Sequence, residues 1–364
     1  MQFKNEFLEI KKSKPFYKID DKTYMIFQDK TAVNFNSCNC YLIKNDNKTV
    51  VIDPGCSRNN LIQTLKEIKV EIKDVKSIIL THSHSDHYVL VNYLKEKAQS
   101  EVYIHHSDSE LLEDTSKYFD SLFDRSFIKS RPKFKELYQI LEYFSNQEKY
   151  EVSETNFYLN PAIKSVFDTW NIYSIKADHE FKDNNTLPGN LKVIHLPGHT
   201  AGHCGLLHPD HSIIFSADID FNKRGPVVSS KYANINNYKK SINKLIRIVR
   251  NHKIKHLFPG HWNPIFSNLE TSLKQFYREF EIRQEKILEI LAQKEKMTVD
   301  EITAETYKEF IKNFVDLIDD TTKDSLLVAE AAELMTNRNY LTELERLKLV
   351  KQVFLKNQEY WKLA

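Results

Sequence analysis

Residues 81–87 read Thr-His-Ser-His-Ser-Asp-His, which places His82, His84, Asp86 and His87 within six positions. Imidazole and carboxylate donors in this density suit zinc, iron or manganese. Core packing gives no reason for four such polar groups so close together. On a strand, His82 and His84 would share a face, and in a loop beyond it Asp86 and His87 can turn toward a second point. The competing reading is a solvated histidine-rich loop. The choice depends on whether the rest of the chain supplies further donors.

Three other stretches do. Leu-Pro-Gly-His-Thr (196–200) offers His199, Ser-Ala-Asp-Ile-Asp (216–220) offers Asp218, and Phe-Pro-Gly-His-Trp (258–262) offers His261. His199 and His261 each follow a Pro-Gly pair, the turn chemistry that would aim a side chain. Glycine is scarce, seven in 364 residues, and Gly55, Gly198, Gly202 and Gly260 all stand within a few positions of these motifs. Each is expected to mark a backbone requirement.

The elements that must carry these groups are legible as short alternating runs. NCYLIK (39–44) and KTVVID (48–53) read as strands, NLIQTLKEI (60–68) as a helix and KSIILT (76–81) as a strand that ends at the histidines. VNYLKEK (91–97) is again helical and EVYIHH (101–106) strand-like. This alternation predicts an α/β arrangement with functional residues at the carboxyl ends of strands. Residues 107–178 break the rhythm with an aromatic, helix-patterned stretch, expected to be an insertion that forms a helical lid. LKVIHL (191–196) and SIIFSA (212–217) resume as strands, and 243–261 reads as helix, short strand and loop. From about residue 267 the pattern is helical to the end, with Thr298 and Glu301 spaced as a capping box.

In order and rough spacing, H-x-H-x-D-H followed by His199, Asp218 and His261 resembles the metallo-β-lactamase superfamily. That resemblance implies a four-layer αββα sandwich over residues 1–264, interrupted by the helical insertion at 107–178 and followed by a helical appendage at 265–364. It implies that His82, His84 and His199 hold one metal ion, that Asp86, His87 and His261 hold a second, and that Asp218 bridges them. Asp53 would support the metal shell, and His203 would orient its turn without touching metal. Asp86 would also help to protonate the leaving group, so the catalytic carboxylates would be Asp86 and Asp218. The ions would be divalent, zinc first, with iron or manganese the others this donor set suits. A flavodiiron-type redox site would carry glutamate where this chain has His84.

Two divalent ions about 3.5–4 Å apart can share a hydroxide that is nucleophilic at neutral pH. The implied reaction is attack of this bridging hydroxide on a small-molecule ester, thioester or lactone. The alternative is phosphodiester or RNA cleavage on the same fold, since the tail resembles a winged-helix-like appendage shared by both kinds of hydrolase. Charge favours the first reading. Residues 265–364 carry 15 basic against 19 acidic side chains and residues 107–185 carry 10 against 15, whereas a polyanion site needs cations.

Composition excludes further classes. The chain is 41% hydrophobic and 28% charged with a formal net charge of +2, which gives no general attraction to nucleic acid or anionic membrane. No run approaches the roughly 20 apolar residues of a membrane span. No nucleotide-binding glycine loop occurs, and no secretory leader is visible. Four scattered cysteines do not make a disulfide framework, so the expected setting is cytoplasmic and the expected partner a small-molecule substrate.

Several nearby groups are expected to be structural. His105, His106 and His195 read as non-ligands, and Cys40 and Cys204 as core packing. Tyr88 could equally reach the substrate or pack. The basic stretch RSFIKSRPKFK (125–135) reads as a solvated helical face rather than an anion site.

Overall fold

A computed structural model describes residues 2–28, 37–122, 124–135, 137–139, 173–221, 225–310, 323–356 and 358–364. Its first sheet has seven strands in sequential order: β1 Phe16–Lys18, β2 Thr23–Ile26, β3 Cys40–Ile43, β4 Thr49–Ile52, β5 Val75–Ile79, β6 Glu101–His105 and β7 His179–Phe181. The second sheet has five, ordered β12 His256–Pro259, β11 Ile213–Ala217, β10 Cys204–His208, β9 Leu191–His195 and β8 Thr186–Leu187.

Strand alternation sorts side chains into layers. Within β4, Val50 and Ile52 enter a core shared with Val193, Leu206, Ile213 and Phe215 of the second sheet. Val51 points the other way, toward Leu61 and Leu65 of the helix Arg58–Glu67 and Leu94 of the helix Val91–Ala98. On the far side, Ile194, Leu207 and Ile214 meet Ile242, Leu245 and Val249 of the helix Ile235–Asn251. Helices therefore cover both outer faces of two stacked sheets, and the four-layer αββα sandwich is present. Coverage on both faces also explains why Thr49–Ile52 is wholly buried and reads as a continuous apolar run. The helix Ile235–Asn251 buries Ile235, Tyr238, Ile242, Leu245 and Val249, the spacing of one helical face, and Asn234 caps its start by accepting from Asn237 N at 2.9 Å.

The strand directions bring all the motif turns to one rim. β4, β5 and β6 are mutually parallel. β9 and β11 both pair antiparallel with β10, and β11 pairs parallel with β12. The carboxyl ends of β5, β9, β11 and β12 thus carry the turns that hold the four motifs.

Of the expected insertion, the described part forms helices His106–Glu113, Thr115–Leu122 and Arg125–Lys129. The rest of the expected lid, 140–172, lies outside the described residues. Arg131 of the basic stretch forms a two-point ion pair with Asp300 (2.8 and 2.9 Å) and Lys133 pairs with Glu330. Arg131 therefore docks on the C-terminal region, while Lys129, Lys133 and Lys135 remain exposed as the solvated-face reading expects.

The C-terminal region contains helices Leu269–Leu291, Val299–Phe310 and Lys323–Arg346. Thr298 and Glu301 form the expected reciprocal cap, with Thr298 N donating to Glu301 Oε2 at 2.8 Å and Glu301 N to Thr298 Oγ1 at 3.2 Å. The expectation of helix to the end is corrected. β13 Val350–Leu355 and β14 Gln358–Leu363 form an antiparallel hairpin, and Met297 bridges its outer strand through Trp361. Val, Phe, Tyr and Trp recur in these two runs, and Val350 and Trp361 are buried, so pairing and burial override the many Lys and Leu residues that suggested helix. Among the described residues, no helix is long and apolar enough to cross a membrane.

Candidate metal centre

The rim turns gather all seven expected side chains. Donor atoms of His82, His84, His199 and Asp218 lie within 4.8 Å of one another, and so do those of Asp86, His87 and His261. His84 Nδ1 lies 3.0 Å from His82 Nε2 and 2.8 Å from His199 Nε2. Asp86 Oδ2 lies 3.2 Å from His261 Nε2 and 3.7 Å from His87 Nε2. The Asp218 carboxylate faces both groups. Its Oδ2 is 3.1 Å from His199 Nε2 and its Oδ1 3.1 Å from His87 Nε2.

The donor set fits metal. Zinc at about 2.0–2.1 Å from tetrahedral donors would hold them about 3.3 Å apart, which matches these separations. Nε2 of His87 and Oδ1 of Asp218 are buried and make no hydrogen bond. An unsatisfied buried polar atom costs about 1–3 kcal/mol, which a cation between the two would remove.

Hydrogen bonds on the far side of each ring fix its tautomer. His199 Nδ1 donates to the Val227 carbonyl at 3.0 Å, which leaves Nε2 with its lone pair toward the site. His87 Nδ1 donates to Asp53 Oδ2 at 3.0 Å. Asp53 also accepts from Thr81 N (2.8 Å) and Thr81 Oγ1 (2.7 Å), so one carboxylate anchors both ends of the histidine loop. His203 touches none of the donor groups' metal-facing atoms. It donates from Nδ1 to Leu196 O (3.0 Å), which ties its own turn as expected, and accepts Asp218 N at Nε2 (3.1 Å), which also holds the Asp218 turn.

Electrostatics divide the rings. Burial, reinforced by nearby His199, pushes both His84 and His203 down to about 3. Burial likewise lowers His82. For His261, burial opposes protonation, but Asp218 and Asp86 outweigh it and raise the ring to about 8. His199 is raised by Asp218 in the same way, also against burial. Asp218 lies well below the carboxylate range because His261, His199, His87 and His82 overcome the effect of burial.

Left-handed backbone occurs here too. Asp53 (φ 47°), Ala217 (φ 47°) and Trp262 (φ 66°) occupy the left-handed region beside three of the motif turns. Gly198 has φ 141°, and a Cβ there would come within 2.4 Å of Tyr238 backbone atoms. Glycine is therefore required immediately before His199.

Other expected non-ligands stay outside. His195 stacks on His105 at 4.1 Å and its Nε2 meets Ala201 O at 2.8 Å, while His105 caps the helix that follows it. Cys38, Cys40, Cys56 and Cys204 are buried free thiols. Tyr88 is 1% exposed and packs on Tyr118 and Tyr173, so it is a core residue.

Sequence reasoning missed Asp108. This buried carboxylate accepts from Ser83 N (3.0 Å), Thr200 Oγ1 (2.7 Å) and Gly202 N (2.6 Å), which pins the first histidine loop to the His199 loop. Its only sequence signal is an acid in the first turn of the helix His106–Glu113. Gly202 is the matching requirement, since a Cβ there would lie 2.7 Å from Asp108.

Comparison with known proteins agrees with this geometry. The model of the metallo-beta-lactamase superfamily matches residues 33–261. A hydroxyacylglutathione hydrolase of Haemophilus influenzae is 26% identical over 188 residues, which is 50% of this chain and 66%, just under two thirds, of that protein. A probable metallo-hydrolase of Bacillus subtilis is 23% identical over 324 residues, covering 82% of this chain and 89% of its own length. The crystal structure of a metallo-beta-lactamase family protein from Thermus thermophilus has a TM-score of 0.64 at 18% identity, over 95% of this chain and 100% of that one. With its fold, its rim of strand-end turns and this match in agreement, the chain belongs to the metallo-beta-lactamase superfamily.

Proposed function

We propose that this protein is a dinuclear metal-dependent hydrolase of a small-molecule ester, thioester or lactone. His82, His84 and His199 would hold one divalent ion, Asp86, His87 and His261 a second, with Asp218 shared between them. The observation that carries this reading is the Asp218 carboxylate, whose two oxygens lie 3.1 Å from donors of different groups. Zinc is the ion favoured by imidazole-rich donors, with iron and manganese the alternatives. When bound, such ions lower the pKa of water and polarise the oxygen under attack.

The chain's own residues do the rest. Asp53, Val227 O and His203 hold the rings and the Asp218 turn in one orientation. His84 and Asp86 are the most exposed of the seven, so they mark the mouth where substrate arrives. In the metal-free site His87 and His261 outweigh desolvation and lower Asp86, and an ionised carboxylate at this position could take a proton from water and pass it to the leaving group.

The small acyl substrate is supported by the acidic balance of residues 265–364 and by the name of the Haemophilus relative, a hydroxyacylglutathione hydrolase. The buried free thiols support a cytoplasmic setting. A panel of p-nitrophenyl esters, acyl thioesters, lactones, bis-p-nitrophenyl phosphate and labelled RNA tests the assignment. Turnover of the acyl compounds is expected, and cleavage of the phosphodiesters alone would overturn it. Asp218→Ala should abolish turnover and leave fewer than two metal equivalents bound.

A further inference from the structure

Residues 225–230 form an irregular strap between the Asp218 turn and the helix Ile235–Asn251. On its inner side, Val227 O accepts the Nδ1 proton of His199 at 3.0 Å. On its outer side, Val228 O and Ser230 O accept both amide hydrogens of one side chain, Asn339, at 2.7 and 2.9 Å. Asn339 belongs to the C-terminal helix Lys323–Arg346, 140 positions beyond His199 in sequence.

A strap outside any sheet has no ladder to hold its carbonyls in place. Val227 O can fix the His199 tautomer only if its peptide plane is itself fixed. A primary amide carries two N–H donors in a rigid planar fork, which suits two carbonyls two residues apart. Alanine has no such donor, and a hydroxyl has one. One residue further along, Lys231 N donates to Ser121 O at 2.7 Å, so the strap is also tied to the insertion. Arg338, adjacent to Asn339, turns instead to Asp124, with which it pairs at 2.7 Å.

We propose that Asn339 is a positioning residue of the metal site: through the 227–230 strap it holds Val227 O against His199, so the C-terminal region is a working part of the centre. This rests on the metal reading above. Zinc affinity of the full chain, measured by competition with a chromophoric chelator, provides the test. Asn339→Ala and Asn339→Asp, the latter keeping the shape without the donors, should each weaken zinc binding. Loss of a partner that directly contacts a ligand costs about 10–100-fold, so one bond further out the expected loss is about three- to tenfold. Arg338→Ala should leave zinc affinity unchanged even if it lowers the melting temperature. Wild-type affinity in both Asn339 variants, or an equal loss in Arg338→Ala, overturns the proposal. If the alanine variant does not fold, Asn339→Asp alone carries the test. A wild-type affinity there overturns the proposal, and a weakened one with normal Arg338→Ala supports it. Failure of the wild-type chain to bind zinc, iron or manganese would overturn the metal reading itself, a different result from Asn339 variants that bind as wild type does.

Discussion

Nδ1 of His87 lies 3.0 Å from Oδ2 of Asp53, although the two residues are 34 positions apart. The same carboxylate holds Thr81, so it fixes both the start of the histidine loop and the ring at its end. Asp53→Ala should therefore lower metal affinity about 10–100-fold, the usual consequence of losing a ligand's hydrogen-bond partner. Chelator competition checks this, and an unchanged affinity would show that His87 needs no anchor.

Metal uptake should release protons at neutral pH. In the metal-free site, Asp218 and Asp86 raise His261 to about 8, against burial, and Asp218 raises His199. A metal must displace those protons, so apparent affinity should rise with pH through about 8. The contribution of His261 to the metal-free fold runs the other way. A raised His261 stabilises it fully below the unfolded value near 6.5, and this contribution is lost as pH rises through about 8. Calorimetric titration with zinc in buffers of different ionisation enthalpy measures the release directly. No buffer dependence at pH 7 would contradict it.

Gly198→Ala should be severely destabilising. The new Cβ would sit 2.4 Å from Tyr238 backbone atoms, at a φ of 141° that side chains rarely adopt. Tyr238 cannot retreat, since it is fully buried and its hydroxyl donates to Asp218 O at 2.8 Å. A loss of at least about 3 kcal/mol is expected, readable by urea denaturation.

Asp108→Ala should uncouple the two histidine loops. It strands the backbone N–H groups of Ser83 and Gly202 and the Thr200 hydroxyl, all buried. At about 1–3 kcal/mol per orphaned group, a loss of several kcal/mol in stability is expected. Asp108→Asn should recover part of it, because its single oxygen can still accept while its NH2 faces a donor. A variant as stable as wild type would mean that the loops are held elsewhere.

Much of the fold was legible because local pattern and burial agree. Thr49–Ile52 and Ser77–Ile79 are buried throughout, so their mainly apolar runs read as strands. His82, His84, Asp86 and His87 stood out by their density, and His199, Asp218 and His261 by an order and spacing that resemble the superfamily's motif. The hairpin Val350–Leu363 was not, because its lysines and leucines have helix preference and only the pairing of Met297 with Trp361 and the burial of Val350 decide otherwise. The role of Arg131 was hidden for the same reason, since its partner Asp300 is 169 residues away.

By itself the sequence determined the donor types, their order and the strands that end at them, since these depend on neighbouring residues and spacing. Only the tertiary structure decided which oxygen of Asp218 faces which histidines, and that Asp108 and Asn339 hold the turns from outside. Such relations join groups up to 111 positions apart through hydrogen bonds whose geometry arises only once the sheets have stacked and the C-terminal helix has docked.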